Sequence, residues 1–296
     1  MTKAKVQFDL VPKEHWSYPD WISKEKAAEA RQKMVNQGTK YGGSESYRHM
    51  CRFQSGFFFR HPQVKSLDYY WRIEPGVEFH CDVDYDVFQF MKMNNKTYGF
   101  NIALYENKDT VETLYSTTRS FLKEHPEYID KNAGVRFLSQ DPETFLQDNG
   151  AWNFCHFWSN FEIASTKLWN NNLYLDYFDY LDKAGGFFYE RWGDAPVHSM
   201  AAMLFQDVAR VHRFDDIGYT HDTYLHCPQN PEYHSGNRCS CKPSKVSANY
   251  KKGRDKRLTL FLQDIDRDKH KTCINHWWST LKKEPENYFV PRGNHY

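Results

Sequence analysis

Strand-like and helix-like stretches alternate along this chain, with no internal repeat and no low-complexity linker between them. That pattern builds a sheet covered by helices, an α/β fold in one domain. The run LDYYWRI (residues 67–73) is apolar and aromatic like a strand and stops at Glu74-Pro75-Gly76, where proline and glycine turn the chain. YGFNIALYE (98–106) alternates as another strand. KEKAAEARQKMVNQ (24–37) reads as a polar helix ending at Gly38, and DTVETLYSTTRSFLKEH (109–125) as a helix with Asp109 or Thr110 as N-cap. LYLDYFDYLDKAGG (173–186) is a helix stopped by a glycine pair, and APVHSMAAMLF (195–205) one with Pro196 in its first turn.

The 296 residues suffice for a sizeable core. A net charge of +1 implies no general attraction to nucleic acid or acidic membranes, and the basic stretch 242–257 reads as a solvated loop. There is no apolar run of about 18 residues and no secretory leader at Met1, so the chain as given is expected to be soluble. Aromatic residues make up 17%, which suits either a core or the flat faces that stack on sugars and bases. Cys227, Cys239 and Cys241, with His226 and His234 nearby, match no standard zinc spacing; disulfides or free thiols fit them better. Asn95-Lys96-Thr97 is an N-glycosylation sequon.

Several carboxylates compete as chemical groups. Glu74 closes a strand, where α/β sheets gather ligand-binding loops, and could hold a divalent cation against a diphosphate. Asp82, Asp84 and Asp86 alternate in CDVDYDVF and mimic a DxD metal motif, or form a solvated strand face or a set of hydrogen-bonded turn carboxylates; spacing does not separate them from Glu74. Asp194 in ERWGDAPVHS stands at or just before a helix start, as a ligand group or a plain N-cap. His221 lies in a loop suited to a metal ligand. Glu162 sits among aromatics in CHFWSNFEIAS, where it must be solvated at an edge, or else paired or used.

Together, YGGSESYRHMCRFQSGFFFRHP, YYWRIEPGVEFHCDVDYDVF, YGFNIALYE, CHFWSNFEI, AGGFFYERWGDAPVHS and DIGYTHDTYLHCP resemble the fungal α-1,2-mannosyltransferases of glycosyltransferase family 15. The likeness runs in order from LVPKEHWSYPDWI (10–22) to Cys241. It implies a GT-A-type α/β fold, with a central mixed sheet flanked by helices, and retaining transfer of mannose from GDP-mannose to the 2-hydroxyl of a mannose-terminated glycan. It further implies manganese (Mn2+) and the Golgi lumen, with a membrane anchor and stem that this chain does not contain. A single domain over 1–296 would divide into a nucleotide-sugar half (roughly 40–130), an acceptor half (roughly 150–241) and a divergent extension (242–296) packed on it.

The resemblance selects Glu74 and His221 as metal ligands and makes Asp82-Val83-Asp84 a structural decoy. Tyr47 falls near the donor diphosphate and Arg72 faces the donor; Glu106 is another site acid, and Asp194 holds sugar hydroxyls. Trp158, Asn160, Arg191 and Trp192 are further substrate contacts, with the aromatics around Glu162 as platform and dry wall. Glu162 is the nucleophile of a double displacement or the charge stabiliser of a front-face reaction. Asp222-Thr223 replaces a proline usual near position 223, which changes the acceptor loop. In the extension, 258–262 would add an edge strand, and 270–281 a helix with Trp277 and Trp278, fastened through Cys273. Mannosylphosphate transfer, a glycosidase using Glu162 and Asp194, and a non-catalytic mannose-binding module are the rival readings.

Overall fold

The computed structural model describes residues 4–242, 248–249 and 261–282. Its strands are β1 (Tyr69–Ile73), β2 (Glu78–Phe79), β3 (Tyr98–Phe100), β4 (Ala103–Tyr105), β5 (Cys155–Phe157), β6 (Phe161–Ser165), β7 (Val211–Arg213), β8 (Tyr219–His221), β9 (Tyr224–His226), β10 (Ala248–Asn249) and β11 (Phe261–Asp264). The central sheet has the order β1-β6-β3-β7. Strand β6 is antiparallel to both β1 and β3, whereas β3 and β7 run parallel, so the sheet is mixed, as expected. Strands from both halves of the chain interleave in it. A second sheet, β10-β11-β9-β8-β2, and the β4–β5 pair complete the β-structure of the described residues.

Local chemistry explains most boundaries. Ser23 caps the Lys24–Asn36 helix and Asn171 the Asn172–Ala184 helix, which stops at Gly185 with φ +79°. After β1 the chain reverses through Gly76, whose φ of +80° a side chain would resist. Two expectations fail. The 98–106 stretch is two strands, broken where Asn101 turns its amide onto the carbonyls of Phe214 and Ile217. The helix expected over 109–125 begins only at Leu114, because Asp109 and Thr110 belong to a separate 3-10 turn capped by Asn107.

The two faces of β6 meet different cores. Phe161 and Ile163 pack with Phe214, Ile217 and Tyr219. Ala164 faces the larger core, which holds Tyr70, Tyr98, Phe100, Trp169 and the apolar side of the Asp194–Leu204 helix. By strand alternation Glu162 faces that larger core too. The aromatic content is largely spent here: Trp169, Trp192 and Trp277 are among the largest fully buried side chains. It therefore serves packing before it serves sugars.

Of the C-terminal segment, residues 261–282 are built into the fold. Strand β11 is parallel to β9 and lies between β9 and β10 rather than at an edge; residues 258–260 of the expected strand, and most of the basic stretch 242–257, lie outside the described residues. The expected helix starts at Ile274, not 270, and buries both Trp277 and Trp278. Trp277 meets Phe100 edge-on at 5.1 Å, and Cys273 is disulfide-bonded to Cys155. The remaining pairs are Cys81–Cys239 and Cys227–Cys241, leaving Cys51 free and buried. Disulfides, not zinc, account for the cysteine cluster.

Asp266 joins the segment to the sheet through Arg213 (2.7 Å) and His226 (2.6 Å). Asp215, His226 and Asp266 are spaced like metal ligands, but the Arg213 guanidinium already binds both acids and supplies the positive charge. Burial alone would lower the His226 pKa; Asp266, and beyond it Asp215, reverse this and raise it above 6.5, against the opposing charge of Arg213. A raised folded-state pKa means the folded state holds the proton. Its contribution is full below about pH 6.5 and is lost as pH rises through the folded value. Thermal unfolding from pH 6 to pH 8 should show a falling midpoint, and His226→Gln should flatten that slope. An identical slope in both proteins would remove His226 as its source.

Candidate active site

Glu162 is fully buried and lies opposite Arg72 in the β1–β6 ladder. Its solvated-edge reading is thereby overturned. One carboxylate oxygen accepts the Tyr70 hydroxyl; the other accepts the Tyr98 hydroxyl at 3.0 Å and meets His198 Nδ1 at 2.8 Å. Trp169 secures the cage by donating its indole N–H to the Tyr70 oxygen (2.8 Å) and by stacking on His198 with centroids 4.2 Å apart. Burial, then the Glu162 charge, pushes the Tyr70 and Tyr98 pKa values well above 10, so both phenols stay protonated and donate. A buried carboxylate is costly unless its lone pairs are satisfied; here three donors satisfy them.

Arg72 is the hub of the next layer. Its guanidinium pairs with Asp194 (2.5 Å) and with Glu74, two residues on and just past the end of β1. Burial works against its charge, but Asp194, Glu74 and Glu162 together hold its pKa above the ordinary value. Asp194 is not the N-cap: Gly193 occupies that position, and Asp194 is the first helical residue. Its carboxylate instead accepts Arg72 and the Ser159 hydroxyl (2.7 Å). Burial would raise the Asp194 pKa, but Arg72 and then His198 hold it below the usual carboxylate range. Asp194 and His198, four apart, share one helix face, so a single helix lays both over Arg72 and Glu162.

At the mouth, Glu74 Oε2 lies 3.6 Å from His221 Nε2, and both residues are half-buried. The approach of His221, outweighing burial, lowers the Glu74 pKa, with Arg72 adding to it. Asn160 is buried; it accepts the Tyr219 hydroxyl at 2.9 Å, and its amide lies 3.3 Å from His221 Nδ1. It therefore orients the histidine rather than facing a sugar. Trp158 meets His221 edge-on at 4.9 Å and keeps part of its ring exposed. The β8–β9 turn pivots at Asp222 (φ +53°), whose carboxylate takes a 2.6 Å ion pair from Lys40. One oxygen donor and one imidazole at an open mouth suit manganese, whose other positions would come from a ligand and water.

A second arm joins the same centre. Tyr47, in the first turn of the Glu45–Gly56 helix, lies under Arg191, with the guanidinium carbon 5.3 Å from the ring centre. Arg191 in turn lies 3.9 Å from Glu106, and burial raises the Tyr47 pKa. A Cβ on Gly193 would come within 3.9 Å of Glu106, which puts this arm beside Asp194.

Three expectations need correction here. Trp192 is only 1% exposed, pressed against Gly186 where any Cβ would overlap its ring, and donates to Glu190 (2.7 Å); it packs the turn and offers no face to a ligand. Phe157 and Phe161 likewise point into the cores, so of the aromatics around Glu162 only Trp158 reaches the surface. Asp82, Asp84 and Asp86 lie in a loop rather than on a strand, which removes the strand-face readings and leaves that of hydrogen-bonded turn carboxylates. Asp86 caps the Val87–Met93 helix, and Asp84 lies 3.7 Å from Arg238. Sequence reading missed Tyr70, Tyr98, Ser159 and His198. Period 2 before Arg72 flags Tyr70, and the four-residue step after Asp194 flags His198; Tyr98 carries no local signal.

A mixed α/β sheet with a buried carboxylate on its floor and an acid–histidine pair at its mouth defines an α/β protein with an acidic, metal-competent site at the end of its strands. The chain belongs to the glycolipid 2-alpha-mannosyltransferase family, glycosyltransferase family 15, whose model matches residues 1–257. It is 51% identical over 244 residues to glycolipid 2-alpha-mannosyltransferase 2 of Candida albicans, covering 82% of this chain and 51% of that one. To alpha-1,2 mannosyltransferase KTR1 of Saccharomyces cerevisiae it is 51% identical over 245 residues, covering 83% and 61%. It thus spans about half to three fifths of these relatives. Among solved structures, core-mannan synthase A (CmsA/Ktr4) of Aspergillus fumigatus, in its Mn/GDP form, superposes with a TM-score of 0.81 at 41% identity, covering 96% of this chain and 71% of that one. Ktr4p of S. cerevisiae in complex with GDP gives 0.77 at 36%, covering 93% and 66%.

Proposed function

We propose that this chain carries the reaction centre of a retaining α-1,2-mannosyltransferase that moves mannose from GDP-mannose to the 2-hydroxyl of a mannose-terminated glycan. The observation that carries this reading is the paired Arg72 and Glu162 on one sheet face under Asp194, with Glu74 just past the strand end and His221 at the mouth. It gains support from relatives described as mannosyltransferases and from a neighbour described as a Mn/GDP form. Glu74 and His221 would hold manganese, which supplies positive charge to a diphosphate leaving group. Arg72 and Arg191 face the same charge, Tyr47 lies near it, and Asp194 and Glu106 accept sugar hydroxyls.

Glu162 acts as a charge stabiliser. Both its oxygens are already hydrogen-bonded and none of its surface is exposed, so attack on C1 would first have to strip donors from it. A fixed anion beneath the sugar favours the positive charge that develops as the glycosidic bond to phosphate breaks. GDP then leaves on the face the acceptor enters, and its departing phosphate oxygen takes the proton of the attacking 2-hydroxyl. A glycosidase needs one carboxylic acid of raised pKa; Asp194 is held low by Arg72, which argues against that class. Three disulfides fit an oxidising lumen such as the Golgi. Among the described residues no helix is long and apolar enough to cross a membrane.

The test is incubation with GDP-mannose and methyl α-mannoside, with manganese or with chelator. An α-1,2-linked product formed only with the metal, and lost in His221→Ala, is the expected result. Mannosylphosphate as the transferred group would change the reaction class, and failure to bind GDP would end the reading.

A further inference from the structure

Beside the reaction centre lies a cleft of 640 Å³ that the mechanism above does not use. Its walls include Tyr105, Glu106, Lys108, Gln140, Asn149 and Phe154. Glu106 is common to both regions. Its carboxylate faces Arg191 in the reaction centre, and its backbone N–H donates to the Phe154 carbonyl (2.8 Å) at the edge of the cleft. Phe154 is held in the left-handed region at φ +68°, unusual for a bulky side chain. Trp152 (4.9 Å between ring centres) and Lys108 (Nζ 4.9 Å from the ring centre) hold its ring, and the next residue is the disulfide-bonded Cys155. The result is a fixed aromatic side chain at one wall, with the exposed amides of Gln140 and Asn149 around it.

This lining selects for a neutral, hydroxyl-rich ligand. Aromatic rings suit the C–H faces of sugars, and amides both donate to and accept from hydroxyls. A phosphate would meet two carboxylates, Glu106 and Asp141, against one cation, Lys108, which already rests on Phe154. The volume falls within the roughly 300–1,000 Å³ of small-ligand clefts.

We propose that this cleft is an acceptor subsite, holding the mannose units that precede the residue being extended, so that the protein prefers oligomannose acceptors to single sugars. The proposal rests on the transferase reading above. Methyl α-mannoside and α-1,2-mannotriose would be compared as acceptors with the intact chain and with Asn149→Trp, which fills the cleft from an exposed position. The expected KM is about tenfold lower for the trisaccharide. That advantage should vanish in Asn149→Trp while the rate with methyl α-mannoside is unchanged. Equal KM values for both acceptors in the intact chain would overturn the subsite and leave the transferase reading standing. Should neither acceptor be mannosylated, the reaction itself fails, and saturation-transfer NMR of mannotriose decides the cleft separately. Binding lost in Asn149→Trp supports it; no binding, or equal binding in both proteins, overturns it. Weaker GDP binding in Asn149→Trp would assign the cleft to the nucleotide and likewise overturn the proposal.

Discussion

Glu162→Gln should lower mannosyl transfer by about 10²–10³-fold, the range seen when one preorganised electrostatic group is removed from a reaction centre. The amide keeps the shape of the carboxylate but not its charge, and the charge is what the mechanism requires. GDP binding should survive, because Glu162 lies on the floor of the site and touches Tyr70, Tyr98 and His198 rather than the mouth residues Glu74 and His221. Stability should fall by about 1–3 kcal/mol, since an amide offers one acceptor oxygen where three donors converge and leaves a buried donor unmatched. Initial rates, GDP titration and a urea melt measure the three quantities. A variant with unchanged rate would remove Glu162 from the chemistry. A glycosyl-enzyme trapped on Glu162 in the intact chain would replace charge stabilisation with double displacement.

The second large effect is on stability. Replacing Cys155 and Cys273 together by alanine should lower the unfolding free energy by about 5 kcal/mol, because their bond closes a loop of 118 residues. The same change at Cys227 and Cys241, which close only 14 residues, should cost about 3 kcal/mol. Both cysteines of the longer bridge are fully buried, and Trp277 beyond Cys273 packs under Phe100 and Phe157. Losing the bond therefore frees the only covalent tie, among the described residues, that holds the C-terminal helix against the core. Denaturant melts of the two double variants give the comparison; a 155/273 variant as stable as the intact chain would mean that packing and the Arg213–Asp266 pair suffice.

Much of the local structure was readable because its causes are local. The stop at Gly185 and the turn at Pro75-Gly76 each follow from a glycine's backbone freedom. The long motifs identified the family for the same reason, since they record order along the chain. The break at Asn101 arose where another segment intervened, since its side chain is drawn to Phe214 and Ile217, more than a hundred residues away; the late start at Leu114 has a local cause, the turn that Asn107 caps.

The site shows the same division. That Glu74 closes a strand, that Asp194 opens a helix and that Glu162 sits in an aromatic run are properties of adjacent residues, and the sequence determined them. Which carboxylates share a centre is a property of packing. Asp82, Asp84 and Asp86 mimic a metal motif, yet their loop enters a helix, and Asp86 is consumed as its cap. Trp192 stands next to Arg191 in the chain but turns into the core, because Gly186 leaves room for its ring there. Glu162 owes its fully buried, three-donor environment to Tyr70, Tyr98 and His198, which lie 92, 64 and 36 residues from it. No sequence window spans those separations; a sheet that sets β1 and β3 on either side of β6, and a helix laid across it, brings the donors within 3.0 Å or less.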